Sequence, residues 1–122
     1  MANQSDFISK LLHGVTAAHM LHLRAKGTGS YASHKALGSL YEGLQDQADS
    51  LAEECMGVHG MLGQFPSERF SPPNNAVSFV EELYQYVKTN RDQVGDESHL
   101  QNTVDGILSL LASTLYKLKN LS

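Results

Sequence analysis

Helix breakers cluster at three places in this 122-residue chain: Gly27 and Gly29; residues 57–73, which hold all three prolines; and Gly95. Glycine and proline punctuate regular structure because one frees and the other fixes the backbone. Between the clusters lie four long stretches. In each, apolar residues recur at intervals of three and four, the spacing that puts them on one side of a helix. No stretch of useful length alternates apolar and polar residues as a half-buried strand would.

The first stretch, residues 6–25, has the stripe Ile8, Leu11, Leu12, Val15, His19 and His22, with Ser5 or Asp6 as the expected cap and Gly27 as the stop. The second, residues 33–56, has Leu37, Leu40, Tyr41, Leu44, Ala48, Leu51, Ala52 and Cys55, with Ser33 as cap and Gly57, Gly60 and Gly63 closing it. The third, residues 76–92, follows the cap Asn75 and carries Phe79, Val80, Leu83, Tyr86 and Val87. The fourth, residues 99–120, carries Leu100, Val104, Ile107, Leu108, Leu111, Leu115 and Leu118, and Ser98 with Gln101 forms a capping-box pattern. The expectation is one all-α domain over residues 1–122, a four-helix bundle. The long connection 61–75 lets helix three run parallel to helix two. That favours a crossover between these helices, as in ferritin-like folds.

Charge and cysteine use narrow the function classes. Nine basic against thirteen acidic residues give a net charge of −4, which argues against a surface built on cationic phosphate contacts. No apolar run reaches the ~18–20 residues that span a bilayer. The opening MANQSDFISK has no basic region followed by an apolar stretch, so no secretory signal is expected. The single cysteine, Cys55, allows no disulfide within the chain. A reducing compartment, the cytoplasm, is the expected location.

The flank of helix two carries the chemistry. With Leu44 at the centre of its buried face, His34, Gly38, Glu42, Gln45, Asp49 and Glu53 fall at roughly 80–180° from that centre. Asp49 and Glu53 form an i, i+4 carboxylate pair, a common solvated pattern. Gly38 leaves a gap on this flank where another backbone or helix could approach. His22 stands near the end of helix one, three residues after His19. A histidine on such a stripe is ordinarily a hydrogen-bonded core residue. It is also a metal donor when its second nitrogen is held by a neighbour. Two histidines and two carboxylates form a mixed donor set suited to iron, manganese or zinc. The di-iron pattern inside four-helix bundles, Glu-x-x-His on two helices, is absent from the sequence. A site within the bundle is therefore not expected, and a site shared between two copies is.

The run HLRAKGTGSYASH over residues 22–34, followed by Asp49 and Glu53, has the pattern H-x11-H-x14-D-x3-E. It resembles the ferroxidase signature of the Dps proteins (DNA protection during starvation), small cages of the ferritin-like superfamily. Residues 40–44 (LYEGL) and 46–54 (DQADSLAEE) look like the same family's second helix, and the last helix matches in position and pattern. The resemblance implies that His22 and His34 of one subunit, with Asp49 and Glu53 of its neighbour, bind iron and catalyse its oxidation by peroxide or oxygen. It implies a homo-oligomer, a dodecamer built from dimers, that stores the oxidised iron and protects against oxidative stress. Zinc or manganese suits the same ligands. Asp92, Asp96 and Glu97 fall where related cages line an iron-entry pore, although acids there also suit a helix N-terminus. His19, one turn before His22, is placed to hold the His22 ring from behind.

Three departures stand beside the resemblance. Gly38 occupies a position that often carries a further carboxylate, Leu23 one that often carries tryptophan, and Glu54 one that often carries arginine. Only Lys10 among the first twenty residues is a lysine or arginine, so the family's DNA binding is not carried over, and no membrane partner is expected. The alternative function is a catalytically weakened structural or interaction protein that keeps the ferritin-like fold, with or without a structural metal.

Overall fold

The computed structural model describes residues 3–121. It contains four α-helices: α1 (Gln4–Arg24), α2 (Ser30–His59), α3 (Ala76–Asn90) and α4 (Ser98–Asn120), with a 3-10 turn at Arg91–Val94 before α4. No strand occurs among the described residues. None of the helices is long and apolar enough to cross a membrane.

The buried stripes of α2, α3 and α4 follow the spacing read from the sequence. Leu37, Leu40, Leu44, Ala48, Leu51 and Cys55 of α2 meet Val80, Leu83 and Val87 of α3 and Leu100, Val104, Ile107 and Leu111 of α4 in one core. On α1 the buried face is rotated by roughly 60° from the expected stripe. Phe7, Ile8, Leu11, Ala18 and Leu21 are buried, Val15 is half-buried, and Leu12 is 37% exposed. The reason is packing: Phe7 stands 5.9 Å from Tyr86, and Gly14 lets Leu83 approach α1 closely. An added Cβ at Gly14 would lie 2.8 Å from Leu83 Cδ2.

Each helix packs on two others: α1 on α2 and α3, and α4 on α2 and α3. Pairing along the seams gives direction. Gly14 faces Leu83 while Phe7 faces Tyr86, so α1 and α3 are antiparallel. Gly43 faces Leu110, Gly106 faces Gln47, and Thr103 bonds Glu54, so α2 and α4 are antiparallel as well. The connection after α2 touches α1 twice. The Ser5 hydroxyl donates to the Gly63 carbonyl at 2.7 Å, and the Phe70 ring stands edge-on to His13 at 5.7 Å.

Helix ends differ from expectation where a better partner exists. Asn3, not Ser5 or Asp6, caps α1, because its side chain accepts the Asp6 N–H, while Ser5 is spent on Gly63. α2 starts three residues before Ser33, with Gly29 in the left-handed region (φ 80°) as its N-cap, and ends at Gly60 (φ 89°) rather than Gly57. Asn75 caps α3 as expected, accepting the Ser78 N–H at 2.9 Å. The Ser98–Gln101 capping box does not form. Ser98 lies inside α4, and the Gln101 amide turns back to donate to the carbonyls of Arg91 and Gly95. Gln101 thus ties the 3-10 turn and Gly95 to the first turn of α4.

Candidate metal centre

The turn 25–29 brings the end of α1 against the first turns of α2, and with it His22 against His34. The two imidazoles stack, with centroids 3.8 Å apart and planes 21° from parallel. Each ring is fixed by the other's backbone. The His22 Nδ1–H donates to the His34 carbonyl at 2.7 Å, and the His34 Nδ1–H donates to the His22 carbonyl at 2.9 Å. The His22 carbonyl lies in the last turn of α1, where it accepts the Ala25 N–H at 3.4 Å, a long bond that leaves its second lone pair for the His34 ring.

These two bonds decide the tautomer. A carbonyl oxygen only accepts, so each Nδ1 carries the proton and each neutral ring is left with its lone pair on Nε2. That is how a metal-binding histidine is usually prepared. The lone pairs lie in nearly parallel planes, so they do not converge on one point within a bond of ~2.0–2.1 Å from both nitrogens. The pair therefore offers two separate donors rather than a chelate.

Gly38 is part of this arrangement. It lies one turn after His34, and a Cβ there would be 3.1 Å from both Cε1 and Nδ1 of His22. The gap read from the sequence as room for another helix is filled by the His22 ring of the same chain.

His19 does not hydrogen-bond to His22. Their centroids are 6.2 Å apart, and His19 stacks instead on Tyr41 at 4.1 Å with planes 10° from parallel. Tyr41 meets His22 edge-on at 5.4 Å. Four rings thus run in contact from the exposed His19 through Tyr41 and His22 to His34. Sequence reasoning missed both this row and the backbone clasp. The available signal was Gly38 four residues after His34.

Asp49 and Glu53 lie exposed on α2, one turn apart. At 1.5 Å rise per residue they are about 22 Å or more along the helix from His34. Within one chain they do not join the histidines, and no group of three or more His, Cys, Asp or Glu among the described residues is placed to hold a metal ion. The outward side of α1 beside the histidines presents Leu12, Thr16, His19 and Leu23 at helical spacing, with Leu23 69% exposed.

Of the acids before α4, Glu97 takes a partner of its own. The His59 Nε2–H donates to the Glu97 carboxylate at 3.1 Å, joining the end of α2 to the start of α4. The Glu97 carboxyl is held below its usual range, first by a hydrogen bond from its own backbone N–H and then by His59. Asp92 lies in the 3-10 turn, its carbonyl accepting the Gly95 N–H, and Asp96 is exposed. Cys55 is fully buried, and burial, assisted by Glu54 and Glu97, raises its thiol pKa to about 11. A cleft of about 640 Å³ between α1, α3 and residues 68–75 is lined by His13, Phe70 and Tyr86, and includes none of the four predicted ligands.

A model described as a family of unknown function (DUF5856) matches residues 22–118. The chain belongs to that family. The DUF5856 match begins at His22 and takes in His34, Gly38, Tyr41, Asp49 and Glu53. No curated protein matches the chain, and no solved structure does.

Proposed function

We propose that this protein is a Dps-like, ferritin-like iron oxidase and store, working in the cytoplasm, with its site shared between two copies. His22 and His34 of one copy and Asp49 and Glu53 of the other bind ferrous iron as substrate. The observation that carries this reading is the reciprocal clasp, which leaves Nε2 of both histidines open and unprotonated in the neutral rings. The flank of α2 supplies the carboxylates, and the exposed apolar side of α1 next to the histidines gives a second copy a surface to cover. Gly14 meets Leu44 while Gly38 meets His22, so α1 is antiparallel to α2 as it is to α3, α2 and α3 run the same way, and residues 60–75 touch α1 at Ser5 and His13. Both support the crossover expected of a ferritin-like bundle.

The chemistry follows from the donor set. Carboxylates stabilise ferric over ferrous iron and so favour loss of an electron. Peroxide takes two electrons, one from each of two ferrous ions, and leaves as water after taking up two protons. Two donors that do not chelate suit two adjacent ions. A closed assembly would then hold the hydrolysed ferric product. Asp92, Asp96 and Glu97 would guide cations inward in such an assembly.

Anaerobic Fe²⁺ titration followed by peroxide tests the reading. Saturable binding and peroxide-dependent oxidation are expected, both lost in His34→Ala and Asp49→Ala. A dodecamer of about 160 kDa is expected from the 13.3 kDa chain. No saturable binding would sink the proposal.

Gly38 favours a second reading. With no carboxylate there, the bundle would hold a structural divalent ion at a dimer interface without turnover. Stoichiometric Zn²⁺ with no oxidation of Fe²⁺ would select it.

A further inference from the structure

We infer that Tyr41 is a positioning residue for His22, acting through its ring rather than its hydroxyl, and that His19 holds it in place; the inference rests on the metal-site reading above. His22 is constrained from four sides. The His34 carbonyl takes its Nδ1–H, the His34 ring covers one face, the backbone at Gly38 closes beneath it, and the Tyr41 ring meets it edge-on. The first two constraints come from the turn between α1 and α2. A stacked imidazole can still slide or tilt about a single hydrogen bond, and Tyr41 is the aromatic wall that stops this motion from the α2 side. The Tyr41 hydroxyl has no hydrogen-bond partner among the described residues and is not shut away from solvent. Its contribution is therefore the shape and quadrupole of the ring, whose contacts prefer edge-on and offset geometries. His19 lies nearly parallel on Tyr41 and limits its rotation. The aim of the His22 lone pair thus depends on a row of rings whose outer member reaches the exposed side of α1.

The test uses the full chain, with two measurements on each variant. In the metal-free protein, imidazole ¹⁵N shifts report whether His22 holds a single Nδ1–H tautomer. Co²⁺ titration reports affinity and, through its visible absorption bands, ligand geometry. Tyr41→Phe is expected to keep the tautomer and bind Co²⁺ within about twofold of wild type. Tyr41→Leu, which keeps an apolar side chain, is expected to mix the His22 tautomers. It should also weaken Co²⁺ by about 10- to 100-fold, the usual effect of losing support behind a ligand. His19→Phe should behave as wild type and His19→Ala should weaken binding. The His19 pair decides the matter if Tyr41→Leu does not fold. A wild-type tautomer and Co²⁺ spectrum in Tyr41→Leu would overturn the inference, as would a loss in Tyr41→Phe equal to that in Tyr41→Leu. If the wild type binds no Co²⁺, the metal-site reading fails, and the tautomer measurement still decides the role of Tyr41.

Discussion

His22 and His34 each donate Nδ1–H to the other's main-chain carbonyl while their rings stack at 3.8 Å. Neither ring can be turned without releasing an acceptor contributed by the opposite helix. The pair is at once a lock between α1 and α2 and a preset pair of donors.

Gly38 should be intolerant of any side chain for reasons of position rather than fold. Gly38→Ala gains up to about 1 kcal/mol of helix preference and gives part of it back to crowding against His22. Urea unfolding should find its stability within about 1 kcal/mol of wild type. Its imidazole ¹⁵N spectrum should show a disturbed clasp. Gly38→Glu, which would place a carboxylate one turn after His34, should bind Co²⁺ more weakly than wild type. Tighter binding would mean that the His22 ring can vacate the space above residue 38.

Ser98 and Gln101 can be separated by mutation. Ser98→Ala should change stability by less than ~0.5 kcal/mol, because Ser98 does not cap α4. Gln101→Ala should cost about 1–3 kcal/mol, since two part-buried bonds to the carbonyls of Arg91 and Gly95 and one from Arg91 Nε are lost. Equal effects in thermal or urea unfolding would restore the capping box.

Glu97 gives stability a definite pH dependence. Its folded-state carboxyl is held below the ordinary value of 4.5, so its contribution is present above that pH. It is lost as pH falls through the lowered folded value. Glu97→Gln should be less stable than wild type at pH 7, and the gap should close on acidification below 4.5. A gap that stays constant from pH 7 to pH 3 would exclude this role.

Cys55 should be silent in the native protein. Burial, then Glu54 and Glu97, raises its pKa to about 11, so at pH 8 almost none of it is thiolate. A disulfide reagent such as dithionitrobenzoate should modify it only after unfolding. Rapid stoichiometric reaction without denaturant would show that the core opens around α2.

The helical architecture was legible because apolar spacing is a local property. The stripes of α2, α3 and α4 could be read from intervals alone, and Asn75 announced its cap by residue type and place. Residues 12 and 7 show where this fails. Leu12 and Phe7 both fit a helical stripe on α1, and only the presence of Tyr86 and Leu83 on α3 decides that Phe7 goes inside. The site divides in the same way. His22 and His34 were legible by spacing, and the turn that unites them was marked by Gly27 and Gly29. Their carbonyl acceptors carry no trace in the sequence, because every residue has a carbonyl. Gly38 looked like a missing ligand, since a sequence does not show whose ring fills the space above a glycine. His59 and Glu97 are 38 residues apart, and nothing local connects them.

The two tethers on α1 differ in what they cost the unfolded chain. The histidine clasp joins residues twelve apart, whereas the Ser5–Gly63 bond joins residues 58 apart. Loop-closure entropy grows as the logarithm of separation, so the longer closure costs about 1.4 kcal/mol more before any contact repays it. Closing the α1–α2 hairpin is therefore entropically the cheaper of the two steps. Every group of the clasp lies on α1, α2 or the turn between them, so the cheaper closure is also the one that brings the two imidazoles together.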